Sequence, residues 1–288
     1  MRIIIALFTL ASVFLFSCQK EVDYANGNNN SGGGGGGGGG TQGTTLVKTV
    51  SKNGTDSVVT VYTYNANKKL INEKITGKSQ GIDVSNEYKY YRNASGIITR
   101  YVQINATLAA QGIDSVTTMV NYNSSSSRYT STVSLITYSG FTVLDSTVFV
   151  YDGSGKVTES DLYLGIPLLG SYDLAVKFKY VYAANGNISQ YDIYDLTSGT
   201  EEHVATTKNT FDTKTSPIIF NNEAFAIGHP DWVSVNNATK VELLDLTDPT
   251  NNYTMAITYT YNGTNRPATS VNTTMPGSIV DNVTYYYQ

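Results

Sequence analysis

Tyr151-Asp152-Gly153-Ser154-Gly155-Lys156-Val157 is the stretch whose reading decides the fold. A strand enters through Thr147, Val148, Phe149 and Val150, and a second leaves through Lys156, Val157 and Thr158. Between them lies Asp-Gly-x-Gly, a turn that needs glycine at positive φ. β-Branched and aromatic residues flanking such a turn specify a β-hairpin.

Working outward, the same unit recurs. It stands as Tyr62-Thr63-Tyr64-Asn65-Ala66-Asn67-Lys68-Lys69-Leu70 and as Tyr90-Tyr91-Arg92-Asn93-Ala94-Ser95-Gly96-Ile97. A degenerate copy lies at Asn121-Tyr122-Asn123, and further copies at Tyr180 to Ile188, Tyr259 to Gly263 and Phe211-Asp212. The anchors Tyr64, Tyr91, Tyr122, Tyr151, Tyr182 and Phe211 are 27, 31, 29, 31 and 29 residues apart. A period near 30 with two strands per unit is a repeat architecture. Asp56-Ser57-Val58, Asp114-Ser115-Val116 and Asp145-Ser146-Thr147 are expected to open the strands that end in an anchor.

Within the strands the pattern alternates. Val176, Phe178, Tyr180 and Tyr182 share one face, and Lys177, Lys179 and Val181 the other. Met255, Ile257, Tyr259 and Tyr261 oppose Ala256, Thr258 and Thr260. Period two with one apolar and one mixed face predicts an antiparallel sheet half in water. The 23 tyrosines suit it: a ring packs cross-strand while its hydroxyl reaches solvent. Serial hairpins with such short connections predict a meander. Helical periodicity is confined to Asn221–Ile227.

Tyr151-Asp152-x-x-Gly155-Lys156-Val157 resembles the YD repeat of Rhs-type shell proteins. The span 46–288 resembles the YD-repeat-like lipoproteins of Gram-negative bacteria, down to Phe211-Asp212, Ser216-Pro217 and the paired Asn236-Asn237. The resemblance implies an all-β antiparallel meander of tandem hairpins forming a long curved sheet or open shell. It implies no known activity, and there are too few copies to close a large cocoon.

Residues 1–17 read as an export signal, with Arg2 ahead of an apolar run from Ile3 to Phe16 that is too short to span a bilayer. Cys18, the single cysteine, follows Leu15-Phe16-Ser17 and is the expected site of lipidation. Residues 18–44 form a tether with nine consecutive glycines, Gly32–Gly40, which cannot bury a core. Residues 45–288 form one β domain with an irregular insert near 217–250. Loss of Arg2 leaves 18 basic and 23 acidic residues, which argues against nucleic acid or anionic lipid as the main partner. Gln19-Lys20-Glu21-Val22-Asp23 resembles the signals that send such lipoproteins to the outer face of the outer membrane, the periplasmic face being the alternative.

The insert carries the chain's single tryptophan in Gly228-His229-Pro230-Asp231-Trp232. Trp232, His229, Asp231 and Phe225 are the candidate ligand-binding residues; equally, Trp232 and Phe225 could cap an open end of the sheet. The two histidines have no metal-ligand spacing, and there is no Gly-x-Ser-x-Gly elbow or phosphate loop. No catalytic residue, metal or cofactor is therefore expected. The expected role is a membrane-anchored, non-enzymatic module for a glycan or envelope-protein partner. The alternatives are an adhesive component acting through sheet edges and, behind it, a glycan-degrading enzyme.

Overall fold

The structure, a computed structural model, describes residues 43–288 apart from Ser139. The export signal, Cys18 and the glycine tether lie outside the described residues. The hairpin unit builds sixteen strands. The first eight are β1 (Leu46–Asn53), β2 (Asp56–Tyr64), β3 (Leu70–Ser79), β4 (Ile82–Arg92), β5 (Ile98–Asn105), β6 (Val116–Asn123), β7 (Arg128–Tyr138) and β8 (Phe141–Tyr151). They continue as β9 (Val157–Ile166), β10 (Ser171–Tyr182), β11 (Ile188–Asp195), β12 (Glu202–Thr215), β13 (Asn236–Asp245), β14 (Tyr253–Tyr261), β15 (Pro267–Met275) and β16 (Ile279–Tyr287).

Each strand pairs antiparallel with its sequence neighbours, and β1 pairs with β16 from Leu46↔Tyr287 to Lys52↔Asn282. The meander expectation holds. The open sheet or shell does not: the sheet closes into a barrel. Closure pairs the backbone groups that two free edges would expose, so no edge strand remains. Because the connections alternate, the turns after β2, β4, β6, β8, β10, β12 and β14 share one end with Leu46 and Gln288. The other turns lie at the far end.

The turns at the first end have one chemistry. Asp152 Oδ1 accepts from Ser154 N–H (2.8 Å), Ser154 Oγ (2.8 Å) and Lys156 N–H (3.0 Å). These bonds, led by that from the serine hydroxyl, hold its carboxyl below the usual range. Asn65, Asn93 and Asn262 make the equivalent backbone bonds. Gly155 sits at φ +87°, and Lys68 and Asn265 adopt the same left-handed region without being glycine. Three-residue turns of this kind leave a bulge beside the strand end. The register slips there, between Val150/Tyr151, Val181/Tyr182 and Thr260/Tyr261.

The bulge explains the anchor tyrosine. Tyr151 Oη donates to Tyr129 O (2.6 Å), Tyr182 Oη to Val157 O (2.8 Å) and Tyr287 Oη to Pro267 O (2.9 Å). Each hydroxyl latches one hairpin to a main-chain carbonyl of the previous one, rather than reaching solvent as expected. Burial pushes the Tyr151 hydroxyl to about 12. One anchor was misread. Register places Arg92↔Ile98 where the other units have Tyr64↔Leu70 and Tyr151↔Val157. Arg92 holds the slot, and its Nε makes the latch to Leu70 O (3.1 Å). Tyr91 faces outward under the Arg100 guanidinium, 3.9 Å from its ring centre.

Asp56 opens β2 as expected, but Asp145 does not open a strand. It lies within β8, opposite Ser134 and Leu164. Its side chain shares the inward parity of Phe149 and has no hydrogen-bonding partner among the described residues. Burial raises its carboxyl to about 6. A helix that sequence periodicity could not show, α1 (Ala106–Ala110), sits at the far end. Asn105 Oδ1 caps it through Thr107 N–H (2.7 Å), and Leu108 packs on Ile113, Val116 and Ile136.

The outer wall carries charges along β3, β4 and β9–β13, while Val61, Met119, Leu135 and Val271 are exposed on it elsewhere. Lys74 opposes Glu87, Lys177 lies 3.2 Å from Glu159, Lys179 2.5 Å from Glu201, and Lys240 2.7 Å from Glu242. The inner wall near the first end is apolar. Leu70, Ile98, Val157 and Ile188 are fully buried, with Tyr62, Tyr90, Tyr129 and Phe149 around them.

Candidate functional site

A sixteen-stranded barrel is wide enough to leave an aqueous channel. Here the connection from β12 to β13 fills the first end. The irregular part runs over 216–235, shorter than the expected insert of 217–250, because Asn236–Asp245 is regular strand. It holds a short helix, α2 (Glu223–Ala226), within the expected Asn221–Ile227, and a 3-10 turn, Pro230–Val233. Phe225 and Ile227 are buried in the core cluster beside Leu70 and Ile98. The segment is a plug.

Its two ends are tied together and to the wall. Ser216 N–H donates to Val235 O (2.9 Å) and Phe220 N–H to Trp232 O (2.7 Å). Asn187, fully buried, accepts from Val235 N–H (2.9 Å) and Asn236 N–H (3.2 Å). Asp212 accepts from Asn237 N–H (3.2 Å) and from the Tyr261 hydroxyl. The Asp-x-x-x-x-Pro turn and the paired asparagines thus bracket the plug.

An ion pair and a histidine–carboxylate contact hold its inner face. Arg92 Nη2 donates to Glu223 Oε1 (2.6 Å) and Nη1 to Oε2 (2.9 Å), and the Tyr129 hydroxyl adds a third bond (3.2 Å). Deeper, His229 Nε2 lies 3.2 Å from Glu73 Oε2, and the Tyr90 hydroxyl donates to that oxygen (3.2 Å). Burial, and then the Glu73 charge, pushes Tyr90 well above its ordinary range. Glu73 stands three residues inside β3, so the plug reaches roughly 10 Å into the barrel at ~3.3 Å per residue.

The structure brings the four candidate residues into this one segment, but in different roles. Phe225 is core, edge-on to Phe149 and Tyr180 with ring centres 6.3 and 5.0 Å apart. Trp232 is sandwiched between His229 (3.9 Å) and Phe220 (5.5 Å), edge-on to Tyr62. Phe225 packs as the capping alternative would have it; Trp232 packs on the core and also lines a cavity. Asp231 stays at a cavity wall.

That cavity, about 220 Å³, lies inside the barrel between the plug and the β12–β16, β1 and β2 walls. Tyr62, Trp232, Tyr259 and Tyr285 give it ring surfaces, and Asn209, Asn237 and Asn272 give it amides. Asn237 donates through Nδ2 to Asp212 and to Lys214 O (3.2 Å), while its buried Oδ1 has no partner among the described residues. Asp231 is the one carboxylate in the described lining. Retaining and inverting glycosidases both need two. Among the described residues no group of three or more His, Cys, Asp or Glu side chains could hold a metal ion. Sequence reasoning missed Asn237 and Asn272 as cavity groups; the Asn236-Asn237 pair and the inward parity of Asn272 with Ser270 carried the only signal.

No protein-family model matches the chain, and no curated protein does. Solved structures similar to the chain include two porin-like proteins. A porin-like protein from Bacteroides uniformis is 12% identical with a TM-score of 0.51, over 86% of this chain and 100% of that one. A porin-like protein from Bacteroides vulgatus is 11% identical with a TM-score of 0.51, over 85% and 99%. At such identities the likeness concerns the fold alone.

Proposed function

We propose that the chain is a non-enzymatic binding barrel, held to the bacterial outer membrane by lipid on Cys18. The barrel stands in water, and the cavity beside its plug holds a neutral saccharide-type ring. The rings of Tyr62, Tyr259 and Tyr285 beside the Asn209 and Asn272 amides carry the reading. Aromatic surface with a few fixed polar groups is the usual make-up of a small-ligand site. At about 220 Å³ the space suits one ring.

The outer wall supports a barrel outside the hydrocarbon. Lys74, Lys89, Lys179, Lys208 and Lys240 all lie mid-strand on that wall. A lysine at the bilayer midplane costs about 2–4 kcal/mol in a transmembrane barrel, and less toward the interfaces, so five lysines on this wall oppose insertion. No helix among the described residues is long and apolar enough to cross a membrane. Passage of solute through the barrel is the reading the porin-like neighbours would suggest, and the ion-paired plug stands against it. An adhesive role through sheet edges loses its basis, because β1 and β16 pair.

The test is titration of the Cys18→Ala protein with a panel of neutral mono- and disaccharides, followed by Trp232 emission and calorimetry. At least one sugar should bind, and Asn272→Ala should weaken it tenfold or more. A panel without a binder would overturn the reading.

A further inference from the structure

The plug leaves a second space on its other flank. A cleft of about 540 Å³ opens at the first end, between plug residues 219–223 and the turns of β2 through β11. Lys69, Arg128 and Lys156 line it from three different hairpins. None of the three is in an ion pair among the described residues. Arg128 sits 4.9 Å over the Tyr151 ring and Lys156 4.9 Å over the Tyr182 ring. Ring contacts position a cation without neutralising it.

The nearby carboxylates are already occupied. Glu223 takes two bonds from Arg92 and one from Tyr129. Asp152 is turned onto the amides and hydroxyl of its own turn. The cleft is therefore a positive site in a chain of formal charge −4. The far-end turns are the opposite in sign, with Asp56, Asp83, Asp114, Asp195, Glu202 and Asp248.

We propose that this cleft binds an oxyanion of the phosphate or sulfate type, gripped from three sides by Lys69, Arg128 and Lys156. Three cations spread around one opening suit a group with several anionic oxygens better than a single carboxylate. The group can arrive on a lipid headgroup or on a free solute. Leu46 and Gln288 lie at this same end, so a chain tethered through Cys18 carries the cleft on its membrane side.

The experiment uses the full-length chain with Cys18→Ala, so that no acyl chain can itself cause flotation. Its binding to inorganic pyrophosphate is measured by calorimetry. Its flotation is measured with vesicles of phosphatidylglycerol and phosphatidylcholine at 1:3, and of phosphatidylcholine alone. The comparison is the triple variant Lys69→Gln/Arg128→Gln/Lys156→Gln, with Lys78→Gln at the far end as control and far-UV circular dichroism confirming the fold of each. The proposal expects pyrophosphate binding, anionic-vesicle flotation or both, lost at least tenfold in the triple variant, unchanged in Lys78→Gln, and weakened by salt as exposed charges are screened. Pyrophosphate without flotation assigns the site to free anions; flotation without pyrophosphate assigns it to headgroups. Binding to neither probe, or binding equal in the triple variant, overturns the proposal. The neutral-sugar titration above uses a different cavity, so either reading can fail alone.

Discussion

Arg92→Met removes the cation that fastens the plug. The Arg92 side chain is 5% exposed and that of Glu223 11%, and the guanidinium makes both bonds to the carboxylate, one to Gly96 O (2.7 Å) and the latch to Leu70 O. Methionine fills similar apolar volume but leaves Glu223 charged, with one bond from the Tyr129 hydroxyl. Breaking one side of a buried pair costs about 3–5 kcal/mol, because an uncompensated charge stays behind. Adding Glu223→Gln removes that charge, so the double variant should recover most of the loss despite lacking the same four bonds. Trp232 lies in the plug and is the one tryptophan, so urea unfolding followed by its emission reads plug release directly; far-UV circular dichroism reads the barrel. The expected result is a fall of about 3–5 kcal/mol in the emission-detected stability of Arg92→Met, with at least half regained in the double variant. A single variant within 1 kcal/mol of the parent, or a double variant worse than the single, would refute the latch.

Asp145→Asn should stabilise the barrel at neutral pH. The folded carboxyl titrates at about 6 against ~3.9 unfolded, so its proton-linked stability is complete below about pH 4 and is lost as pH rises through 6. The gain from asparagine should approach about 3 kcal/mol above pH 7 and vanish below pH 4, measured by urea midpoints across pH; a pH-independent difference would contradict it. Tyr151→Phe and Tyr182→Phe each unlatch a hairpin carbonyl, and each should cost about 1–2 kcal/mol, roughly additively. Thermal midpoints equal to the parent's would dismiss the latch role. Gly155→Ala, at φ +87° with its new methyl 3.3 Å from Arg128 Nη2, should cost about 1–2 kcal/mol. Gly153→Ala, with open space and no positive φ, should be nearly neutral in the same assay.

The local structure was legible because it is written in the local code. Alternation in Val176–Tyr182 and the turn at Asp152 identify strands and hairpins without reference to the rest of the chain. Closure was not legible, because it is a meeting of Leu46 with Tyr287 across the whole sequence, and a repeat period sets the unit but not where the sheet ends. The anchor at Arg92 was misread because its neighbour Tyr91 matches the pattern by residue type. Only the bulge register shows that arginine, not tyrosine, occupies the inward slot. The insert was rightly singled out by length, but whether its tryptophan met a ligand or capped the sheet was left open. A segment between two paired strands could equally fold over the rim or into the lumen, and it is Glu73, Arg92 and Asn187, all distant in sequence, that draw it inward. The cavity groups Asn237 and Asn272 come from different strands, so no spacing could have joined them.

The most direct test of the account is fractionation of cells producing the chain with and without Cys18→Ala. A barrel with a lysine-bearing outer wall, held only through its lipid, should leave the membrane pellet in the variant and stay monodisperse and β-rich in buffer without detergent. The parent should need detergent for release. A Cys18→Ala protein that remains in a carbonate- and urea-washed membrane pellet would mean that the wall itself sits in the bilayer, and would contradict the account.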